Sequence, residues 1–264
     1  MGEQHFTTDD GCKIFWRQDG DRSAPALLLS NSLGTDSRLW QSQMDIFAQH
    51  FNVIRYDTRG HGQSDAPTGG YSLDRLGRDV VQLLDHLQIE RCHFAGISLG
   101  GMTGQWLGFR ATERLNRIVL ANTSAYMGPP SGWADRINSV LANGMDAMVE
   151  PVLARWFTPN FLNENPSATE TVRAQLISTN AIGYAGCSAA IRDMDLRPTA
   201  PLIAIPTLVI AGSHDPATPL EHGEFLARTI GKAKLKLLDA AHLSNVEQPD
   251  EFNAAVLQFL GEEK

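Results

Sequence analysis

Short apolar runs recur along the chain, each bounded by glycine, asparagine or proline. They fall at residues 26–31, 52–56, 92–97, 117–121, 207–211 and 234–238. Runs of this length between turn-forming residues predict strands buried on both faces of a parallel sheet. Between them the period changes. Leu73, Leu76, Val80, Leu83, Leu84 and Leu87 repeat at helical spacing on one face. The stretch after Ser98 and the stretch from Asp250 to Leu260 also suit helices. Residues 4–18 predict two further strands in a hairpin. Strand alternating with helix requires crossover connections, and so a sheet with helices on both faces. The expectation is a mostly parallel sheet of about eight strands.

The rhythm breaks between about Ser124 and Pro201. No strand pattern occurs there. Helical segments are punctuated instead by Gly128-Pro129-Pro130, Pro151, Pro159, Pro166 and Pro198. A helical insertion of this size between two sheet strands would sit as a cap over one end of the sheet. The predicted organisation is a core of residues 1–123 and 202–264 with a cap at 124–201.

Composition narrows the partners. A chain of 264 residues is within reach of one α/β domain. Its 42% hydrophobic and 20% charged residues exclude a disordered chain. The net charge of -8 repels phosphate backbones, so neither nucleic acid nor an anionic membrane is an expected partner. An anionic substrate would need a local basic group. Cys12, Cys92 and Cys187 are scattered and odd in number, which argues against a disulfide framework and a zinc site. No apolar run approaches the length of a membrane span. Met1-Gly2-Glu3-Gln4-His5 has neither a basic start nor an apolar h-region, so no signal peptide is expected. A cytoplasmic location is the expectation.

The chemistry starts at Gly96-Ile97-Ser98-Leu99-Gly100-Gly101, a G-x-S-x-G motif between an apolar strand and a helical pattern. By composition alone such a motif arises by chance roughly once in ten chains of this length, so the strand–turn–helix context carries the reading. The tight turn leaves no room for side chains beside the serine, hence glycine. The serine oxygen then stands at a helix N-terminus, where developing negative charge is favoured. A serine nucleophile needs a base. His242, in Ala240-Ala241-His242-Leu243, follows the last predicted strand; Asp215, in Gly212-Ser213-His214-Asp215-Pro216, follows the strand before it. Loops at the C-terminal ends of parallel strands share one edge of the sheet. Ser98, Asp215 and His242 are therefore the candidate nucleophile, orienting acid and base.

Two other histidines compete. His214 precedes the last strand, which disfavours it as the base. His61, in Asp57-Thr58-Arg59-Gly60-His61-Gly62-Gln63-Ser64, reads as structural. The expected oxyanion donors are the backbone N–H groups of Leu99, just after the nucleophile, and of Leu33, in Ser30-Asn31-Ser32-Leu33-Gly34-Thr35. Asp193 and Asp195 are read as the solvated or paired end of a cap helix.

Together these segments resemble the α/β-hydrolase superfamily over essentially the whole chain. A narrower set resembles the 3-oxoadipate enol-lactonases: residues 30–35, Tyr-Asp-Thr-Arg-Gly-His-Gly at 56–62, Ala-Ile-Arg-Asp-Met-Asp-Leu-Arg at 190–197, and Ala-Ala-His-Leu-Ser-Asn-Val-Glu-Gln-Pro at 240–249. Asn31-Ser32, where many superfamily members have His-Gly, is part of that narrower resemblance. It implies hydrolysis of a small anionic enol-lactone to 3-oxoadipate in the breakdown of aromatic compounds, with no metal or organic cofactor. The triad alone leaves open a carboxylesterase, a C–C bond hydrolase, a cofactor-free perhydrolase or a small-molecule receptor. A haloalkane dehalogenase would have Asp at position 98. The lactone carboxylate needs a cationic partner. Trp133 and Arg136, three residues apart on one helical face, are the candidate pair, with Arg155, Arg173 and Arg192 as alternatives.

Overall fold

The computed structural model describes residues 4–261. The expectations drawn on residues 1–3 and 262–264 lie outside that range. Eight strands form one sheet: β1 (Gln4–Thr7), β2 (Lys13–Asp19), β3 (Ala26–Ser30), β4 (Asn52–Tyr56), β5 (Cys92–Ile97), β6 (Leu115–Ala121), β7 (Thr207–Gly212) and β8 (Ala233–Leu238). Their order is β1-β2-β4-β3-β5-β6-β7-β8. Both pairings of β2 are antiparallel, and every pairing from β4 to β8 is parallel. The hairpin and the six apolar runs thus become the eight strands, and β6 starts two residues before the predicted run.

The central strands are buried as expected. Leu27, Leu28 and Leu29 of β3 are inaccessible to solvent. β8 is the exception. It forms the sheet's edge, and most of its residues are exposed. Its Lys-Leu-Lys-Leu alternation is an edge pattern, in which charged side chains protect unpaired backbone groups. The 234–238 run is a strand, but not a buried one.

Crossover helices connect the parallel strands: α1 (Gln41–His50), α2 (Leu73–His86) and α3 (Leu99–Arg110) come early in the chain. The periodic leucines of α2 form its buried face, and Ser72 caps its N-terminus by accepting from the Arg75 N–H. Five helices separate β6 from β7: α4 (Pro130–Asn143), α5 (Asp146–Trp156), α6 (Pro159–Glu164), α7 (Pro166–Ser178) and α8 (Ala181–Asp193). The prolines of this stretch mostly start helices. Pro130, Pro159 and Pro166 stand at the first turns of α4, α6 and α7, where the missing N–H costs nothing. Pro151 lies inside α5. α4 packs on α8 and α5 on α7. The chain ends with α9 (Leu220–Thr229), the short α10 (Ser244–Glu247) and α11 (Pro249–Leu260). α1 and α9 carry no strong sequence pattern and were not expected.

Candidate active site

The C-terminal ends of the parallel strands bring the candidate residues to one edge of the sheet. Ser98 joins β5 to α3 in a left-handed conformation, φ 56° and ψ −114°. A non-glycine residue there is strained, and the neighbours hold it in place. The Ser98 N–H donates to the Ala121 carbonyl at 2.9 Å, and the Thr123 hydroxyl donates to the Ser98 carbonyl at 2.7 Å. The flanking glycines are steric requirements. A methyl group at Gly96 would lie 2.2 Å from the Gly100 carbonyl oxygen, and one at Gly100 would lie 2.3 Å from the Ser30 carbonyl oxygen.

Asp215 follows β7 and His242 follows β8. His242 Nδ1 and Asp215 Oδ2 are 2.8 Å apart, and both side chains are buried. The carboxylate is heavily solvated by protein. Its Oδ1 accepts the backbone N–H groups of Ala217 (2.8 Å) and Thr218 (2.9 Å). Its Oδ2 also accepts the Thr218 hydroxyl (2.6 Å) and the Asn122 amide (3.0 Å). Burial pushes this carboxyl up, but the positive charge of His242 and these hydrogen bonds outweigh it and hold it at about 2. Asp215 is therefore ionised at neutral pH and fixes the Nδ1–H tautomer of His242, leaving Nε2 free to act as a base.

Ser98 and His242 line a common cavity of about 130 Å³, together with Leu33, Trp133, Arg136, Arg155, Trp156 and Tyr184 among others. Leu99 is the first residue of α3, where a backbone N–H has no carbonyl one turn earlier to bond. Its side chain is buried in the core rather than in the cavity. The Leu33 loop is pinned on both sides. The Asn31 amide donates to the Tyr56 carbonyl, its side-chain oxygen accepts the Trp40 indole, and its carbonyl accepts the Gly100 N–H. His61 Nε2 accepts the Gly34 N–H at 2.9 Å. His61 thus supports the loop from below, a structural part as expected. His214 is exposed and pairs with Asp239, away from the cavity.

Trp133 and Arg136 share a face of α4, and the guanidinium carbon sits 4.7 Å from a Trp133 ring centroid. The Trp133 indole donates to the Met127 carbonyl at 2.8 Å, which fixes the ring. Of the alternative arginines, Arg173 pairs with Glu150 and Glu170, and Arg192 with Asp193. α8 ends at Asp193, and Asp195 beyond it pairs with Arg197. Among the described residues, Arg136 and Arg155 have no carboxylate partner. Burial pushes the Arg155 guanidinium down, and the like charge of Arg136 adds to the effect. Asn122, Thr218, Trp156 and Tyr184 escaped the sequence reading. Asn122 has a usable signal: it directly follows a predicted strand, at the edge that carries Ser98, Asp215 and His242.

The chain belongs to the alpha/beta hydrolase fold family, which it matches over residues 25–249. Within it, the chain is 46% identical to 3-oxoadipate enol-lactonase 2 of Acinetobacter baylyi, over 90% of this chain and 89% of the relative. The enol-lactonase of Burkholderia xenovorans LB400 superposes with a TM-score of 0.96 at 42% identity, covering 98% of this chain and all of that one. A hydrolase from Pseudomonas aeruginosa PA01 superposes with the same TM-score at 48% identity, covering 98% of both chains. No helix among the described residues is long and apolar enough to cross a membrane.

Proposed function

We propose that this protein hydrolyses 3-oxoadipate enol-lactone to 3-oxoadipate, with Ser98 as nucleophile, His242 as general base and acid, and Asp215 as the residue that orients His242. The observation that carries the reading is the company Ser98 keeps. The cavity that holds the serine and the histidine also holds a guanidinium, Arg136, with no acidic partner in a protein of net charge -8. A site built for neutral esters has no use for such a cation, whereas an anionic lactone needs one.

In this reading Ser98 Oγ attacks the lactone carbonyl as its proton passes to His242 Nε2. The backbone N–H groups of Leu33 and Leu99 receive the oxyanion. The ring C–O bond breaks, and the leaving enolate stays tethered to the acyl-enzyme. Protonation by His242 gives the ketone, and water activated by the same imidazole releases the diacid. Residues 124–201 act as a cap whose α4 brings Trp133 to wall the cavity and Arg136 to pair with the substrate carboxylate. The enol-lactonase names of two relatives support the substrate. No step draws on a metal or organic cofactor.

The test is direct. Purified protein mixed with freshly generated enol-lactone should remove its ultraviolet absorbance catalytically, and much faster than it hydrolyses a simple aryl ester. Stoichiometric loss alone would point to a binding protein, and a preference for the aryl ester to a general esterase.

A further inference from the structure

The cavity holds a second cation with no carboxylate partner among the described residues. Arg155 on α5 lines it beside Arg136, whose charge adds to the burial that disfavours the Arg155 guanidinium. Burial pushes the Tyr184 hydroxyl up against the pull of both arginines, which places that hydroxyl within the field of each. The other arginines of the helical stretch, Arg173, Arg192 and Arg197, are all paired with carboxylates. Two cations lining one half-buried cavity are costly unless a ligand brings two negative charges.

The substrate named above carries only one charge when it binds. Ring opening creates the second. As the Ser98 Oγ–carbon bond forms and the ring C–O bond breaks, the electron pair stays on the former ring oxygen as an enolate. In this lactone the enol carbon also bears the carboxymethyl group. The new oxyanion and the carboxylate therefore lie on the same end of the molecule, one methylene apart. The enolate charge lasts until carbon takes the proton that His242 received from Ser98.

We propose that Arg155 is a catalytic residue that stabilises the departing enolate oxygen, while Arg136 holds the carboxylate. The proposal rests on the lactone reading of this site. The division of labour follows from the two helices. Trp156, next to Arg155, stacks over the His242 ring with centroids 6.3 Å apart and planes at 26°, and its carbonyl accepts the Leu243 N–H at 3.1 Å. α5 is thus anchored directly on the catalytic histidine, where the enolate is protonated. Arg136 sits on α4, which packs on α8 and faces Tyr184. A cation engaged only when charge develops stabilises the transition state and raises kcat, whereas one engaged from the start lowers KM.

Steady-state kinetics of Arg155→Met, Arg155→Lys and Arg136→Met, on the enol-lactone and on a neutral aryl ester, test this. Arg155→Met should lower kcat for the lactone by about 100-fold, with KM within about threefold. Arg136→Met should show the opposite split. Arg155→Lys should recover at least a tenth of the lost kcat, by about the order expected for a point charge replacing a fork. The lactone-to-ester ratio separates chemistry from misfolding, and the lysine variant keeps the test available if the methionine variant does not fold. Equal losses on both substrates, or an effect on KM alone, would overturn the role of Arg155. An inactive wild-type protein toward the lactone would instead overturn the substrate reading, and this assignment with it.

Discussion

Asp215, buried, and the half-buried Arg136–Arg155 pair are charged groups at one cavity, and the protein treats them in opposite ways. The carboxylate at the end of β7 receives two backbone N–H groups, a hydroxyl, an amide and an imidazole. The guanidiniums on α4 and α5 receive no carboxylate and repel each other. A group that must keep one charge and one orientation through turnover is best satisfied in advance, so that nothing reorganises during reaction. A group that must recognise an incoming charge is best left unsatisfied. In the proposed reading the sheet edge supplies finished chemistry, and the helical stretch supplies an incomplete electrostatic site that the substrate completes.

The strongest way to break this contrast is through the triad. Ser98→Ala should cost several powers of ten in kcat while leaving the thermal unfolding transition close to wild type. His242→Ala and Asp215→Asn should each be severe, and the double variant should be little worse than the worse single one, because residues acting as one unit are non-additive. Multiplying losses would mean that the imidazole and the carboxylate work independently, contrary to their 2.8 Å contact.

A smaller effect probes how the sheet edge is held. Burial pushes the His61 imidazole down to about 4, and its Nε2 accepts the Gly34 N–H beneath the Leu33 loop. The unfolded chain would protonate His61 near its ordinary value of about 6.5. The unfolded state thus binds the extra proton first, so the stabilisation is complete above about pH 6.5 and is lost as pH falls toward 4. The loss from this group is on the order of 3 kcal/mol. His61→Gln should flatten the fall of the unfolding midpoint between pH 7 and pH 4.5, at some cost in stability at pH 7. An unchanged slope would show that His61 does not carry this dependence.

The same contrast explains what was legible in the sequence. The strands at 26–31, 92–97 and 207–211 are apolar runs because they are buried on both faces, and such burial leaves few residue choices. The nucleophile turn was legible because Gly96 and Gly100 have no steric alternative. His242 and Asp215 followed from chain order and strand ends. Burial of β8 was overestimated, because an edge strand with alternating lysines still contains five residues of strand-like pattern. The helical stretch was legible as helix but not as a site. Whether an arginine meets a carboxylate or a cavity depends on how α4, α5 and α8 pack, and no local pattern encodes that. Arg136 has Asp135 beside it in sequence and still lines the cavity, whereas Arg192 pairs with adjacent Asp193. Leu99 shows the same limit: its buried side chain says nothing of the backbone N–H proposed as an oxyanion donor.

The central claim is that finished chemistry at the sheet edge meets an anion-reading cavity wall. The most direct measurement compares kcat/KM for the enol-lactone with that for its methyl ester, which has the same ring and the same leaving enolate but no carboxylate. The account predicts that the free acid is preferred by at least about tenfold, the rate equivalent of about 1.4 kcal/mol, and that Arg136→Met removes most of the preference. A methyl ester opened as efficiently as the acid by the wild-type protein would contradict it.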